Sequence, residues 1–272
     1  MDKTEVDYLR GDSQPLTTDS SVLVSSSRYL NSAAMRHITA QEMLRKYGRD
    51  LTPAYFIPEI NAAFAELQDY PAVLQWFADE RARKPEFAQW LDARFLTRFD
   101  PQELETYKRG TLGAMVYDFV TVSGFDIDFM FRGAPNDDYQ YWLKRFIQSH
   151  DIQHMVTGFD VTPIGEYALI VLNTTNYLDY FAPALAAELS RQTTFAVASG
   201  LMRSSLHYPE TLALMFDAIA QGREMARALK TPLFYVKWED YLHNTIAEIR
   251  EDLNIVNAPA DGAWAWAYEL MN

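Results

Sequence analysis

Proline positions constrain this fold more than any other feature of the sequence. Proline lacks a backbone N–H and has a fixed φ, so it suits the first turn of a helix and disrupts a helix interior. Nine prolines stand at or just before the start of a segment with helical periodicity: Pro53, Pro58, Pro71, Pro85, Pro101, Pro135, Pro163, Pro209 and Pro232. Glycine, at 11 of 272 residues, is scarcer than the average of about 7%, which disfavours a turn-rich β fold. We therefore predict an all-α protein, a multi-helix orthogonal bundle.

Apolar periodicity gives approximate bounds for these helices. The predicted ranges are 39–48, 58–68, 71–83, 85–94, 111–122, 137–157, 163–191, 193–206, 208–229 and 240–252. Thr39, followed by Glu42 three residues later, is the predicted cap of the first helix. Pro183 lies inside the 163–191 segment, where we expect it to kink or split the helix. Residues 233–236 form a short apolar piece that suits either a strand or a buried linker.

Composition excludes several classes of protein. The 24 basic and 37 acidic residues give a net charge of −13, which argues against a nucleic-acid partner because phosphates are held mainly by Lys and Arg. The chain has no cysteine, so disulfides, thiolate metal sites and iron–sulfur clusters are excluded. The first five residues do not resemble a secretory signal. The longest run without a charged residue, residues 167–178, is shorter than the roughly 20 apolar residues that a membrane span needs.

Composition shifts along the chain suggest three regions. Residues 1–35 are rich in Ser, Thr and Asp with little periodicity, so we expect a flexible or loosely docked tail. Residues 36–106 form a predicted N-terminal helical region, and residues 107–272 form the main helical domain. We expect the last two regions to make one compact unit.

Two of the five histidines, His150 and His154, are four residues apart, and this spacing places both imidazoles on one face of a helix. Val156-Thr157-Gly158 is typical of a helix end, and Thr162-Pro163 is typical of a helix start. A short turn between the two helices would bring Glu166 back toward His154. Asp151 is a candidate third ligand or an acceptor that fixes a histidine tautomer. Two imidazoles and two carboxylates suit Zn²⁺, Mn²⁺ or Fe²⁺ better than Ca²⁺ and leave positions open for substrate.

Simpler interpretations of these residues remain open at this point. An i, i+4 histidine pair also occurs on surfaces and in cores without a metal. Glu166 in a first helical turn is favoured by the helix dipole alone. The His150-Asp151 doublet also suits a two-metal phosphohydrolase, but that class needs a further upstream histidine, and His37 is the only one.

Four blocks of sequence together resemble the coenzyme Q biosynthesis protein 4 family, and the chain looks like a bacterial member. The first is His150-Asp151-x-x-His154 followed by eleven residues and Glu166. The others are Gly110-Thr111-Leu112-Gly113 with Tyr117, the Gly222-Arg223 pair, and Trp238-Glu239 followed by residues 250–255. The blocks cover about residues 107–256. The chain departs from the family at Thr245-Ile246, where Pro-Leu is usual, and in its long N-terminal region.

The resemblance implies a helical protein of ubiquinone biosynthesis with a divalent metal at His150, Asp151, His154 and Glu166, which would then be catalytic through the metal. Zn²⁺ is the favoured ion, with Fe, Mn, Co or Mg as alternatives. The implied substrate is a polyprenylated hydroxybenzoate-type intermediate that loses its ring carboxylate at carbon one and gains a hydroxyl there. This makes the chain a metal-dependent oxidative decarboxylase, a carbon–carbon lyase. The alternative is a non-catalytic scaffold that binds prenyl lipid and organises a quinone biosynthesis complex at the membrane.

The prenylated substrate also implies a location and partners. We expect a cytoplasmic protein bound peripherally to the inner face of the membrane, in contact with other ubiquinone biosynthesis enzymes, with a homodimer as an open alternative. Because the net charge is −13, docking should use a local apolar patch or a few basic residues. No Gly-x-Gly-x-x-Gly fingerprint follows a strand, so we expect neither a flavin nor NAD.

Four residues are candidate contacts for the substrate. Leu169, Met202 and Phe216 lie in apolar segments that suit the walls of a trench for a prenyl tail. Arg223 is a candidate partner for an anionic group. Apolar residues at helical spacing are more often core, and charged residues on a helix more often form a solvated face.

Overall fold

The computed structural model describes residues 27–46, 57–96, 99–124 and 130–271. Within these ranges the chain forms thirteen α-helices and no β-strand. Backbone pairing outside helices includes an isolated antiparallel bridge between Thr111 and Thr245. The prediction of an all-α protein is therefore confirmed.

The helices follow one another with short connections. The first seven are α1 (Arg28–Asn31), α2 (Ala33–Leu44), α3 (Ile57–Leu67), α4 (Tyr70–Arg83), α5 (Pro85–Ala93), α6 (Pro101–Leu104) and α7 (Leu112–Ser123). The other six are α8 (Asp138–Thr157), α9 (Pro163–Tyr180), α10 (Pro183–His207), α11 (Leu212–Ala228), α12 (Ile246–Leu253) and α13 (Ala265–Met271). Short 3₁₀ turns occupy Pro209–Thr211, Leu233–Tyr235 and Trp238–Tyr241.

Pro183 splits the segment predicted at 163–191 into two helices. We expected either such a split or a kink. Helix α9 ends at Tyr180, and Pro183 occupies the first turn of α10, where its missing N–H costs nothing. Helix α10 then continues to His207 without the break predicted at residue 192. No helix-breaking residue stands there, so the separate 193–206 helix was wrong.

The cap predicted for the first helix was also wrong. Ser32 is the N-cap of α2, because its side chain accepts a hydrogen bond from the N–H of Met35. Thr39 lies inside the helix and donates to the Met35 carbonyl. Helix α1 and the start of α2 fall within the tail predicted at residues 1–35. Residues 1–26 of that tail lie outside the described residues, as do residues 47–48 of the helix predicted at 39–48.

The C-terminal part contains two further differences from the predicted elements. Residues 233–235 form a buried 3₁₀ turn, so the piece is a buried linker and not a strand. The helix predicted at 240–252 begins only at Ile246, after Thr245. A capping box explains this start: Thr245 accepts from the N–H of Glu248, and Glu248 accepts from the N–H of Thr245.

Helix α9 crosses the main hydrophobic core and packs most extensively on α11 and α10. The main core joins α7, the C-terminal half of α8, and helices α9, α11, α12 and α13, with Leu112, Val156, Leu169, Met215 and Trp238 among its fully buried members. This arrangement places the two halves of the predicted metal motif, on α8 and α9, against the main hydrophobic core.

Two smaller cores complete the packing of the described residues. An aromatic-rich core joins α4 and α5 to the N-terminal half of α8 and the junction of α9 with α10. The third core has four buried side chains, Met35, Ile38, Ala63 and Phe64, and is contacted by Phe195 of α10. None of the described helices has both the length and the apolar character needed to cross a membrane.

Candidate metal centre

Helices α8 and α9 form a hairpin whose turn is fixed by local capping. Gly158 ends α8 in the left-handed conformation with φ of 80°, and its N–H donates to the His154 carbonyl at 3.0 Å. Thr162 caps α9 by accepting from the N–H of Gly165, and Pro163 fills the first turn. These are the stop and start signals that the sequence predicted, and they place the first turn of α9 beside the last two turns of α8.

The hairpin brings His150, His154 and Glu166 together. The Nε2 atoms of the two histidines are 3.2 Å apart. Glu166 Oε2 lies 3.4 Å from His150 Nε2, and Glu166 Oε1 lies 3.3 Å from His154 Nε2. Among the described residues this is a group whose ligand atoms all lie within 4.8 Å of one another, so the three side chains can reach one ion.

Backbone chemistry fixes the orientation of the His154 ring. His154 Nδ1 lies 2.7 Å from the Phe159 carbonyl oxygen, and because a carbonyl only accepts, Nδ1 carries the proton. The lone pair of neutral His154 is therefore on Nε2, which faces His150 and Glu166. A carbonyl partner behind a ligating imidazole is the usual support of a metal-binding histidine.

The electrostatics of the group suit a cation. Burial raises the pKa of the Glu166 carboxyl, but the adjacent imidazoles of His150 and His154 outweigh it and hold that pKa well below its usual range. For His150, burial acts to lower the pKa, and the Glu166 carboxylate overcomes it so that the net shift is upward. The carboxylate is thus ionised, as a metal ligand must be.

Asp151 stands outside this group of three ligand atoms. Its position is half-buried, and burial raises the pKa of its carboxyl while His150 and His154 act to lower it. Asp151 is therefore close enough to add negative charge to the site. Its role as a direct ligand remains a prediction.

The residues present fit a divalent transition metal. Two imidazoles and one carboxylate hold catalytic Zn²⁺ in some peptidases and Fe²⁺ in oxygenases, with further positions left for water or substrate. The Nδ1 atom of His150 is buried and has no hydrogen-bond partner among the described residues, while its Nε2 atom faces Glu166. Glu166 and His150 keep 35% and 28% of their side-chain surface exposed, so a ligand from outside can reach them.

Buried side chains behind the site were missed by the sequence reasoning. Asn173 donates to Gln153 Oε1 at 2.8 Å, and Gln153 donates to Ser149 Oγ at 3.1 Å. These three residues are at most 3% exposed and join α8 to α9 beside the two histidines. The polar residues in the apolar segment 167–178 were a usable signal, because a buried amide needs a partner.

The other family-like blocks support the hairpin from the outside. Arg145 of α8 makes a bidentate ion pair with Glu239 at 2.8 and 2.9 Å. Gly222 of α11 lies so close to α9 that a Cβ there would collide with the Ala168 carbonyl. The backbone N–H groups of Leu112 and Gly113 donate to carbonyls just before α12. Each of these contacts involves α8, α9 or a helix that packs against one of them.

The four candidate substrate contacts have different surroundings. Leu169 is fully buried in the main core, whereas Met202 and Phe216 are about half-exposed, at 44% and 56%. Arg223 is exposed on α11. A role for these residues in binding the substrate remains a prediction.

Comparison with known proteins adds a family. The chain matches the family model described as coenzyme Q (ubiquinone) biosynthesis protein Coq4 over residues 62–259. The mitochondrial ubiquinone biosynthesis protein COQ4 of Clavispora lusitaniae (strain ATCC 42720) is 25% identical over 214 residues, which are 76% of this chain and 63% of that protein. The chain therefore matches less than two thirds of this relative's length.

A solved structure is similar as well. The crystal structure of a candidate ubiquinone biosynthesis protein from Nostoc punctiforme PCC 73102 superposes with a TM-score of 0.56 at 21% identity. The match covers 74% of this chain and 89% of the other. At this level of identity the likeness concerns the fold.

Proposed function

Since the chain belongs to the Coq4 family of coenzyme Q biosynthesis proteins, we propose that it is a metal-dependent enzyme of ubiquinone biosynthesis. The proposed reaction removes the carboxylate at carbon one of a polyprenylated hydroxybenzoate-type intermediate and replaces it with a hydroxyl group. Carbon dioxide leaves, one oxygen atom of dioxygen enters the ring, and a reductant supplies two electrons and two protons to release the other oxygen as water. One further proton from solvent completes the ring hydroxyl, since the carboxylate leaves as neutral carbon dioxide.

The observation that carries this proposal is the convergence of His150, His154 and Glu166 within 4.8 Å at a place that outside ligands can reach. A metal used only to join two helices would be expected to have four protein ligands and no free position. Three converging ligands favour a catalytic centre. Asp151, which lies outside this group, is proposed as an acceptor beside the site, or as a fourth ligand of an ion such as Fe²⁺ that has more than four positions.

Each residue has a defined task in this proposal. His150 and His154 would hold the ion through Nε2, and Glu166 would hold it through its carboxylate and offset the positive charge. A divalent ion held there would stabilise negative charge on the substrate and orient it. We propose Zn²⁺ or Fe²⁺, both of which suit this donor set, with Mn, Co and Mg as further alternatives. The Phe159 carbonyl keeps His154 in the ligating tautomer, and the hydrogen bond between the buried Gln153 and Asn173 amides joins α8 to α9, the two helices that carry the candidate ligands.

Exposed apolar side chains support a peripheral position at the membrane. Met202 and Leu206 lie one turn apart on α10 and are 44% and 49% exposed, and Phe216 on α11 is 56% exposed. We propose that such side chains meet lipid or partner enzymes, since attraction of a chain with a charge of −13 to an anionic surface is unfavourable. A non-catalytic scaffold would bind lipid or partner enzymes through the same exposed side chains. The experiments below therefore test the scaffold as well as the enzyme.

Metal content of the purified protein tests the proposal. Elemental mass spectrometry should find one divalent ion per chain in the wild type and none in His154→Ala. His37→Ala, at an exposed histidine on α2, is the matched control and should retain the ion. Circular dichroism should show that all three proteins are folded.

Turnover then separates the enzyme from the scaffold. The wild type and His37→Ala should release carbon dioxide from a prenylated hydroxybenzoate with dioxygen and a reductant, and His154→Ala should not. Flotation with liposomes should be the same for all three proteins. A protein that binds metal and liposomes but releases no carbon dioxide would favour the scaffold, and a protein without metal would contradict the proposed centre.

A further inference from the structure

Arg250 of α12 contacts the last turn of α8, next to the candidate metal centre. Its Nε donates to the Val156 carbonyl at 2.7 Å across 94 residues of sequence. We propose that Arg250 is a positioning residue: it holds the turn at residues 156–159 in the shape in which the Phe159 carbonyl fixes the His154 ring. The inference rests on the proposed function only in taking a divalent ion as the ligand of His154.

The Val156 carbonyl needs a partner from outside its own helix. It is one of the last four carbonyls of α8, which have no intrahelical donor. The guanidinium supplies that donor, and its positive charge also complements the negative end of the helix dipole. Val156 is fully buried, so water is a poor substitute for Arg250 there.

Gly158 shows how tightly this turn is held. A Cβ at this position would lie 2.9 Å from Nη2 of Arg250 and 3.2 Å from the Pro259 carbonyl oxygen. Because its φ is +80°, the residue is also in the conformation that favours glycine. The turn therefore lies between the guanidinium and the Pro259 backbone, with room for no side chain at Gly158.

The turn controls the proton on His154 through Phe159. The Phe159 ring is fully buried and stacks on Trp264, with centroids 5.9 Å apart, and its carbonyl accepts from His154 Nδ1 at 2.7 Å. If the turn relaxes, Nδ1 loses its acceptor. The tautomer protonated on Nε2 then becomes more populated, and its proton occupies the atom that would bind the ion.

The position of Arg250 is itself fixed by its helix. The capping box of Thr245 and Glu248 sets where α12 begins, and Ile249 and Leu253 anchor it in the main core. Arg250 therefore faces the end of α8 from a fixed register. This gives a physical role to the block at residues 250–255, which is remote in sequence from the histidines.

The tautomer of His154 in the metal-free protein is the first test. Side-chain ¹⁵N NMR of the wild type should show His154 protonated on Nδ1. Arg250→Met keeps the aliphatic stem but removes every donor, and it should shift His154 toward the Nε2 tautomer. Arg250→Lys restores a charged donor and should recover part of the wild-type signal. Arg109→Met, at an exposed arginine, should match the wild type.

Zn²⁺ affinity, measured by titration calorimetry on the same folded variants, is the second test. Loss of an outer partner of a ligating histidine weakens metal binding by 10-fold to 100-fold, so we expect a loss of about 10-fold for Arg250→Met and a smaller loss for Arg250→Lys. If Arg250→Met does not fold, Arg250→Gln replaces it, because its shorter side chain ends before Val156.

The two measurements separate failure of this inference from failure of the proposed function. A folded Arg250→Met protein with the wild-type tautomer and wild-type Zn²⁺ affinity would overturn the positioning role. A wild type that binds no Zn²⁺, with a tautomer that still changes in Arg250→Met, would overturn the metal centre and leave the positioning role standing.

Discussion

At the scale of single residues, Gln153 and Asn173 carry a test of the packing behind the candidate site. Each amide is buried, at 0% and 3% exposure, and they share a hydrogen bond of 2.8 Å. Asn173→Leu leaves Gln153 Oε1 without its donor, and an unsatisfied buried polar group costs about 1–3 kcal/mol. We expect the free energy of unfolding, measured in urea, to fall by that amount.

The double variant Gln153→Leu/Asn173→Leu is the control for that prediction. It removes both partners, so it should cost less than the sum of the two single variants. Strictly additive losses would show that the two amides do not depend on each other and would contradict the network.

Sequence alone predicted the residues whose chemistry depends on side-chain type and spacing. His150 and His154 share a helix face because they are four residues apart, and Glu166 follows a recognisable turn. The Phe159 carbonyl could not be predicted, because every residue carries that group and its use depends on the turn. Asp151 has a side chain that suits a metal ligand. As the residue next to His150, however, it is rotated about the helix by roughly 100° from the face that His150 and His154 share.

At the scale of secondary-structure elements, the crossing of α9 and α11 depends on Gly222. A Cβ at this position would collide with the Ala168 carbonyl, which is two residues after Glu166. Backbone cannot move aside as a side chain can, so Gly222→Ala must separate the helices. Overpacking of this kind costs about 1–3 kcal/mol, and we expect a lower melting temperature together with weaker Zn²⁺ binding.

An alanine substitution at an exposed position of the same helix is the matched control. Arg227→Ala, in the last turn of α11 where the side chain is exposed, should leave both properties unchanged. If Gly222→Ala melts at the wild-type temperature, the close approach of α9 and α11 does not constrain the site.

Helix starts were predicted best where proline marks them, as at Pro163 and Pro85, which begin α9 and α5. Capping by a hydroxyl was less reliable. Thr39 has a cap-forming side chain with Glu42 three residues later, but Ser32 is the cap and Thr39 donates to the Met35 carbonyl inside the helix. Three-residue 3₁₀ turns such as Leu233–Tyr235 have too few residues to show a period.

At the scale of the whole molecule, the N-terminal helices α1 and α2 lie before the family-matched residues 62–259. They meet the rest of the chain through the smallest core and through Arg203 of α10, which donates to Glu42 Oε2 at 2.8 Å. Both side chains of this ion pair are buried. The division of the chain predicted at residues 35 and 106 remains a prediction. The aromatic core packs α4 and α5, which precede residue 106, against α8, which follows it.

The small third core and the buried ion pair together predict that α2 opens independently of the hairpin formed by α8 and α9. Glu42→Ala removes the carboxylate that faces buried Arg203, and losing one partner of a buried ion pair costs about 3–5 kcal/mol. We expect hydrogen exchange of α2 amides to accelerate while the amides of α8 and α9 stay protected, because local opening follows local stability.

Replacing all the charges tests whether the ion pair is the cause. Glu42 also pairs with the buried side chain of Arg45 at 3.0 Å, so Glu42→Leu/Arg45→Met/Arg203→Met exchanges all three charges for apolar side chains. Such an exchange is often neutral or stabilising, and α2 exchange should return toward the wild-type rate. Zn²⁺ affinity should be unchanged in both proteins, since the three candidate ligands lie on α8 and α9. Equal acceleration in α2, α8 and α9 would instead show that the N-terminal helices and the hairpin unfold as one cooperative unit.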